Sequence, residues 1–569
     1  MVRLSLFSAA GIAAFSLAAS AQTTLFTTTG AAAGDQLGKS VAGVGDVDGD
    51  GWGDYALGSP YADANGVDAG SVKVISGKTG QALYTFKGVA AGDRLGESVA
   101  GAGDLNHDGH ADIIVGAPLN DQVGTSCGMA RVYSGANGQP MFTFYGDQAG
   151  DWFGLSVDSA GDFNNDGWTD VIVGAPYGKS TLAGSIGEAR VFSGQNGSVL
   201  HTFNSVSGVT ALGTTVSGAG DVNQDGWDDV IIGAPQYSQG ATHDTGRAYV
   251  FSGKTSLQLW AWTGATDGEN FAACVDGGRD VNNDGWPDLV VGDPFADYNG
   301  GNSGSVYVFS GKTGAQIYRF NGNNSDEMGR SCALAGDVDG DGYADIIGGA
   351  RLADSATAAD AGLARIWSGR TGQTLFALSG SIVGEFFGAA VTCGGDINHD
   401  GLDDVIVGWP SADYAGTDAG RARTWSGTPF PVTTYCTATT NGLGCAATIT
   451  TTGTPSATNT AAFTIRAAQV VNNKAGLLFY GRHGEALPYL GGYLCVDPPL
   501  SRTFIQNSAG SSSGSSCTGL LTLNMNGWIQ SNNDPTLGSG DTVFAQFWYR
   551  DIAGQGTAYT NAVSFTVMP

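Results

Sequence analysis

A nine-residue acidic segment recurs seven times: DVDGDGWGD from Asp46, DLNHDGHAD from Asp104, DFNNDGWTD from Asp162, DVNQDGWDD from Asp221, DVNNDGWPD from Asp280, DVDGDGYAD from Asp337 and DINHDGLDD from Asp396. Every copy has Asp or Asn at positions 1, 3, 5 and 9 and glycine at position 6. Oxygen side chains at alternate positions around a tight turn converge on one point. With one backbone carbonyl they offer the all-oxygen shell of a hard cation such as Ca²⁺, which takes about six to eight ligands at roughly 2.3–2.6 Å. The spacing therefore predicts seven ligand sets. They are Asp46, Asp48, Asp50 and Asp54 with the carbonyl of Trp52; Asp104, Asn106, Asp108 and Asp112 with His110; Asp162, Asn164, Asp166 and Asp170 with Trp168; Asp221, Asn223, Asp225 and Asp229 with Trp227. The remaining three are Asp280, Asn282, Asp284 and Asp288 with Trp286; Asp337, Asp339, Asp341 and Asp345 with Tyr343; Asp396, Asn398, Asp400 and Asp404 with Leu402.

An EF-hand would end in a carboxylate at position 12. Here that position holds Leu57, Val115, Val173, Ile232, Val291, Gly348 and Val407, so these are a different class of loop. Asp, Asn and Gly also form turns without metal, but the ligand positions hold 23 aspartates, which repel one another unless neutralised. Seven Ca²⁺ would move the formal charge from −28 to −14. The four-aspartate loops at Asp46 and Asp337 are expected to bind most tightly. Affinities of roughly 10⁻⁴ to 10⁻³ M are common for extracellular sites and suit a structural ion that pins a turn.

Little else suggests catalysis, and no catalytic residue is expected. The six histidines, His107, His110, His201, His243, His399 and His483, form no metal-binding pair at helical spacing. Gly510-Ser511-Ser512-Ser513-Gly514 matches a nucleophile-elbow pattern, but in a Ser/Gly run without strand–turn–helix context it reads as a loop.

The elements that position the acidic loops follow from their period. Successive loops start 58, 58, 59, 59, 57 and 59 residues apart. Each unit reads as four strands: an inner strand such as 40–45, a continuous apolar run after the loop such as 170–174, a third strand such as GSVKVISG from Gly70, and a fourth such as ALYTFKG from Ala82. Four strands per unit of this length make a propeller blade. The seventh unit stops after its third strand, GRARTWSG from Gly420, while Thr24–Gly30 aligns with Ala82–Gly88. The N-terminal segment is thus expected to complete the last blade and close the ring.

These units resemble FG-GAP repeats, the blades of integrin α-subunit head propellers and of many bacterial extracellular proteins. Phe153-Gly154 and Phe387-Gly388 keep the first dipeptide. Gly116-Ala117-Pro118, Gly174-Ala175-Pro176 and Gly233-Ala234-Pro235 keep the second motif. Phe271-Ala272 loses the glycine and Gly349-Ala350-Arg351 the proline, so altered loops are expected there. The resemblance supports the calcium assignment and implies that ligands dock on the face opposite the calcium loops, where the connections between second and third strands carry Tyr61, Tyr177, Tyr237, Phe295, Tyr298, Trp409 and Tyr414. Clustered aromatics of this kind bind glycans or protein surfaces.

The expected fold is all-β: a signal peptide at 1–21 cleaved before Gln22, a seven-bladed propeller at 22–429 and a C-terminal β-sandwich at 430–569. Glycine, at 92 residues, and only 14% charged residues suit short strands and tight turns. With 25 Lys plus Arg against 53 Asp plus Glu, the chain would repel nucleic acid, and no apolar run is long enough for a membrane span. Eight cysteines in an exported chain permit disulfides. Cys436/Cys445 and Cys495/Cys517 are the expected pairs among three possible connectivities; Cys274, Cys332 and Cys393 read equally as free thiols or a cross-blade bridge, and Cys127 sits alone in a loop. The function expected from these observations is a secreted calcium-binding propeller that binds or adheres to a glycan or protein ligand. The alternative is a polysaccharide hydrolase or lyase with a carboxylate site at the propeller mouth or in the C-terminal domain.

Overall fold

The computed structural model describes residues 23–428 apart from 180–185, 206–208 and 239–242. Beyond 428 it describes 433–435, 447–452, 455, 463–471, 474–481, 487–489, 492–494, 501–508, 517–531, 533–534, 537, 542–550 and 557–567. The expected signal peptide, Cys436, Cys445, Cys495, His483 and the run at Gly510 lie outside the described residues.

Seven sheets, each with four antiparallel strands in blade order, account for residues 24–425, and the third adds the short strand Val209–Leu212, which pairs parallel with Ile186–Phe192. In the first blade the order is Ser40–Gly45, Asp54–Ser59, Ser71–Ile75 and Ala82–Lys87. The inner strands touch in sequence around the ring, and Ala390–Gly395 of the seventh blade meets Ser40–Gly45 of the first, so the chain forms a closed seven-bladed β-propeller. The second strand of each blade is buried from its loop aspartate onward, as in Asp54–Ser59 and Asp112–Ala117. It lies mid-sheet with a neighbouring blade on either face, which is why its sequence is a continuous apolar run instead of an alternating one. The outermost strands keep an exposed edge.

The repeated glycines mark where blades touch. A Cβ on Gly116 would sit 1.9 Å from the carbonyl oxygen of Gly154, and one on Gly58 would sit 2.2 Å from that of Gly96. The glycine of one blade's Gly-Ala-Pro therefore packs directly on the glycine of the next blade's Phe-Gly. Ala272 stands at such a site with φ 68°, and its N–H still donates to Gly292 O at 2.9 Å, as Gly38 N–H does to Gly58 O. The altered loop expected at Ala272 is not found: the backbone keeps the family path, and alanine carries the left-handed strain.

A belt of side chains near the axis links successive inner strands. Ser40 Oγ donates to Gly96 O at 2.8 Å, Ser98 Oγ to Gly154 O at 2.9 Å and Ser331 Oγ to Gly388 O at 2.9 Å. Cys274 takes the equivalent place in the fifth blade, its Sγ lying 3.1 Å from Cys332 O and accepting the Cys332 N–H at 3.0 Å. Cys127, Cys274, Cys332 and Cys393 are free thiols. Cys274 thus substitutes for a hydroxyl in the belt.

Closure is supplied by Thr24–Thr29, which pairs antiparallel with Arg421–Trp425, Thr28 opposite Ala422 and Thr24 opposite Trp425. The order of the seventh sheet places the N-terminal strand outermost, as the alignment predicts. It also bridges to the first blade. A Cβ on Gly80 would come 2.5 Å from the Phe26 ring, just as one on Gly138 would come 2.7 Å from the Tyr84 ring.

Beyond the propeller, a six-stranded sheet containing Thr433–Tyr435, Thr557–Thr566, Thr542–Arg550 and Ala475–Gly481 shares a core with a three-stranded sheet of Thr448–Thr452, Thr464–Val470 and Gly519–Asn524. Phe463, Leu478, Leu523 and Phe547 meet there. One short helix, Met525–Gln530, departs from the all-strand expectation; Asn524 caps it by accepting the Gly527 N–H at 3.2 Å. Cys517 is disulfide-bonded. No helix among the described residues is long and apolar enough to cross a membrane.

Candidate metal centres and the ligand face

Each acidic loop joins the inner strand to the second strand, and its carboxylates are held inward by the loop's own backbone. Asp46 accepts the N–H groups of Gly49, Asp50 and Gly51 at 2.8, 3.0 and 2.8 Å, while Asp48 and Asp50 accept those of Asp50 and Trp52. The loop at Asp104 repeats the pattern through Asp108 and Gly109. Position 4 has a positive φ throughout, from His107 at 56° to Asn283 at 56° and Gly340 at 74°. That explains its restriction to Gly, Asn, Gln and His, several of them residues that tolerate the left-handed region.

Position 9 has a second task. Asp54 accepts Val47 N–H at 2.8 Å and Gly77 N–H at 2.9 Å, tying the loop to the turn between third and fourth strands. Asp112, Asp229, Asp345 and Asp404 make the same double connection. Burial, the largest cause, pushes Asp54 and Asp112 up to about 6, Asp170, Asp229 and Asp288 to about 7, and Asp404 to about 8. Carboxylates that resist ionisation at neutral pH in the bare protein are what a bound divalent cation would relieve.

The fit to a cation is clearest in the two four-aspartate loops. Carboxylate oxygens of Asp46, Asp48 and Asp50 lie within 4.8 Å of one another, as do those of Asp337, Asp339 and Asp345. In the loop that carries the second cluster, Asp339 and Asp341 are each 1% exposed, and one oxygen of each has no hydrogen-bond partner. Burial and then the Asp341 and Asp337 charges raise Asp339 to about 8, and burial raises Asp345 well above its usual range. Orphaned, buried and mutually repelling oxygens are costly alone and are satisfied by a divalent ion. Thr428 N–H donates to Val338 O at 3.0 Å, so the chain leaving the seventh blade covers this loop.

The predicted side chains at positions 4 and 7 connect neighbouring loops. His107 stacks on Trp168 at 4.0 Å, His399 lies 5.4 Å from Trp52, and a His110 ring nitrogen is 2.8 Å from Val47 O. Lys254 and Lys312 sit 4.1 and 3.7 Å over Trp227 and Trp286. Position 7 thus carries a contact between turns beyond its carbonyl.

On the opposite face the aromatics are largely paired. Arg94 lies over Tyr61 at 4.6 Å, Arg247 over Tyr237 at 5.2 Å, Arg319 over Tyr298 at 3.8 Å and Arg421 over Tyr414 at 3.9 Å, while Tyr177 meets Trp152 edge-on at 4.9 Å. Tyr298 and Tyr414 stay 45% and 51% exposed, and Phe295 is half-buried. Trp409 departs from expectation: it ends the second strand of the seventh blade, packs on Phe387 and Trp425 and is 3% exposed, so its ring is core.

Sequence reading missed the axial channel. The third inner-strand position is Ala42 and Ala100 in the first blades but Asp158, Ser217 and Asp276 in the next three. Asp158 and Asp276 line an axial cavity of ≈ 240 Å³, and Ser217 donates to Asp276 Oδ1 at 3.1 Å. Burial, then the Asp276 charge, lifts Asp158 to about 7. Aligning the inner strands column by column would have exposed this change.

A closed ring of seven blades with an acidic loop at the same turn of each defines a repeat propeller of the integrin-head type. The FG-GAP repeat pattern matches residues 95–136, 153–199, 212–251 and 387–425, and the FG-GAP-like repeat pattern matches 280–348. The chain is an FG-GAP repeat protein with an integrin α-like propeller. It is 30% identical to integrin alpha-V of Gallus gallus over 236 residues, 39% of this chain and 22% of that protein. It is 29% identical to integrin alpha-5 of Xenopus laevis over 213 residues, covering 35% and 20% of the two chains. The chain therefore spans about a fifth of the length of these relatives.

Asp341→Ala is expected to remove one ion without opening the ring. With Ca²⁺ at about 2 mM and Kd of about 10⁻⁴ M, the lost site is worth about 2 kcal/mol. In chelator the sign should reverse, because the substitution deletes one of several crowded carboxylates. Paired thermal melts with and without Ca²⁺ check both signs.

Proposed function

We propose that this chain is an exported, non-enzymatic binding or adhesion protein whose propeller carries about seven structural Ca²⁺ and engages an extracellular glycan or protein through the face opposite the ions. The observation that carries this reading is the division of labour between the two ends of each blade. At one end, short loops of uniform length spend their carboxylates on holding turns. At the other, longer connections of varied sequence present Tyr61, Tyr237, Tyr298 and Tyr414 braced by arginines. Rigid, pre-positioned aromatics on variable loops make contact area at low entropic cost. The likeness to integrin α-subunits supports a binding role and an extracellular location.

The hydrolase or lyase alternative has one foothold. Asp158 and Asp276 line one axial cavity, and a carboxylate pair with one member held protonated near neutrality is how acid/base chemistry is divided. A glycan array with a parallel screen for polysaccharide cleavage separates the two. Binding without cleavage is the expected result; turnover abolished by Asp158→Asn would establish the alternative.

A further inference from the structure

The residue preceding each inner strand rings the mouth of the axial channel, on the face away from the acidic loops. The seven are Lys39, Glu97, Leu155, Thr214, Ala273, Arg330 and Ala389. Six of them line a cavity of ≈ 460 Å³, together with Gln236 and Asn270 at its rim and inner-strand valines such as Val41 and Val275 at its floor.

Two of these groups are unspent. Lys39 Nζ is 3.8 Å from Glu97 Oε1, which leaves Glu97 Oε2 buried without a hydrogen-bond partner. Arg330 makes no side-chain hydrogen bond or ion pair with any described residue. Glu327, three residues before it, is engaged by Arg351, whose Nε donates to Glu327 Oε2 at 2.8 Å. The Arg330 side chain is exposed to solvent at the channel mouth. An unpartnered guanidinium lining a concavity is a local positive site for an anion, set against the negative charge of the chain as a whole.

We propose that the channel mouth binds a carboxylated sugar, such as a uronic acid unit of an acidic polysaccharide, with its carboxylate on Arg330 and its hydroxyls on Glu97, Gln236 and Asn270. This rests on the binding role proposed above and names its ligand class. The cavity has a polar rim over an apolar floor, matching a pyranose, which has hydroxyls around its edge and C–H groups on its face. The free Glu97 oxygen accepts a hydroxyl but would repel a second carboxylate, so a sugar acid fits where a dicarboxylic peptide end does not. Planar, two-pronged pairing with a carboxylate is the geometry that arginine favours.

The test uses the full chain with Ca²⁺ present and compares by calorimetry a single methyl galacturonoside, the neutral methyl galactoside and a short peptide ending in a free carboxylate. The expected result is the galacturonoside binding at least tenfold tighter than the neutral sugar, with that preference erased in Arg330→Ala and widened in Glu97→Gln, which removes a repelling negative charge and keeps a hydroxyl acceptor. Both variants should melt as the parent does, since neither side chain belongs to the inter-blade belt. Binding of sugars without charge preference, or insensitive to Arg330→Ala, overturns this inference and leaves the wider binding role standing. Binding of the peptide alone overturns the sugar assignment. No binding of any probe here, or of any glycan on the array, overturns both.

Discussion

A chain that begins at Ala31 instead of Gln22 is expected to lose most of its soluble, monomeric yield. The deleted segment is the outer strand of the seventh blade. Its loss removes the ladder to Arg421–Trp425, the Phe26 N–H bond to Thr424 Oγ1 at 3.0 Å, the Ser426 N–H bond to Thr23 O at 2.9 Å and the Arg423 Nε bond to Thr27 Oγ1 at 3.0 Å. Leu25 and Phe26 also leave their packing beside Tyr55 and Leu57. At about 1 kcal/mol per hydrogen bond and 1–2 per half-buried apolar side chain, the loss is about 5–8 kcal/mol, comparable to the whole stability of many domains. The strand edge left at Arg421–Trp425 invites pairing between molecules. Size-exclusion chromatography should therefore show aggregate. An unchanged melting temperature and monomer yield would falsify closure by the N-terminal strand.

Chelation is expected to have the second large effect. At about 2 mM Ca²⁺ and Kd near 10⁻⁴ M, seven independent sites together supply about 12 kcal/mol. With an unfolding entropy of about 0.8 kcal/mol/K for a propeller of roughly 400 residues, removing the ions lowers Tm by about 15 °C. The pH dependence should invert as well. Asp54, Asp112, Asp170, Asp229, Asp288 and Asp404 have folded values of about 6 to 8, above the ordinary 3.8, so the metal-free folded chain holds more protons than the unfolded one across that interval. Its stability falls as pH rises from about 5 to 8. The calcium-loaded chain should instead gain over the same range, since protons compete with the ion. Melts at pH 5, 6.5 and 8 with chelator or Ca²⁺ read both slopes.

The propeller was legible in the sequence because its signals are repeated. Seven loops of one spacing, seven buried apolar runs and a fourth strand missing at one end and present at the other leave little freedom in topology, and the observed pairing of Thr28 with Ala422 follows from them. Less legible were features present once. Asp158 and Asp276 vanish into a pattern of small residues unless the inner strands are aligned, and Arg330 gains meaning only when Glu327 is found engaged by Arg351. Trp409 misled because an aromatic just past a strand's apolar run reads equally as loop or core, and only the neighbouring Phe387 and Trp425 decide it. Ala272 misled in the other direction: a lost glycine predicts a changed backbone, but the surrounding bonds hold the left-handed turn regardless.

Cation binding in the seven acidic loops is what should pin the turns and hold the blades together. The most direct measurement is metal content by inductively coupled plasma mass spectrometry on protein equilibrated in Ca²⁺ at about 2 mM and passed rapidly through a desalting column. Close to seven calcium ions per chain are expected, falling by one in Asp341→Ala. Two ions or fewer, with no loss of Tm in chelator, would contradict this and leave the loops as turns that happen to be acidic.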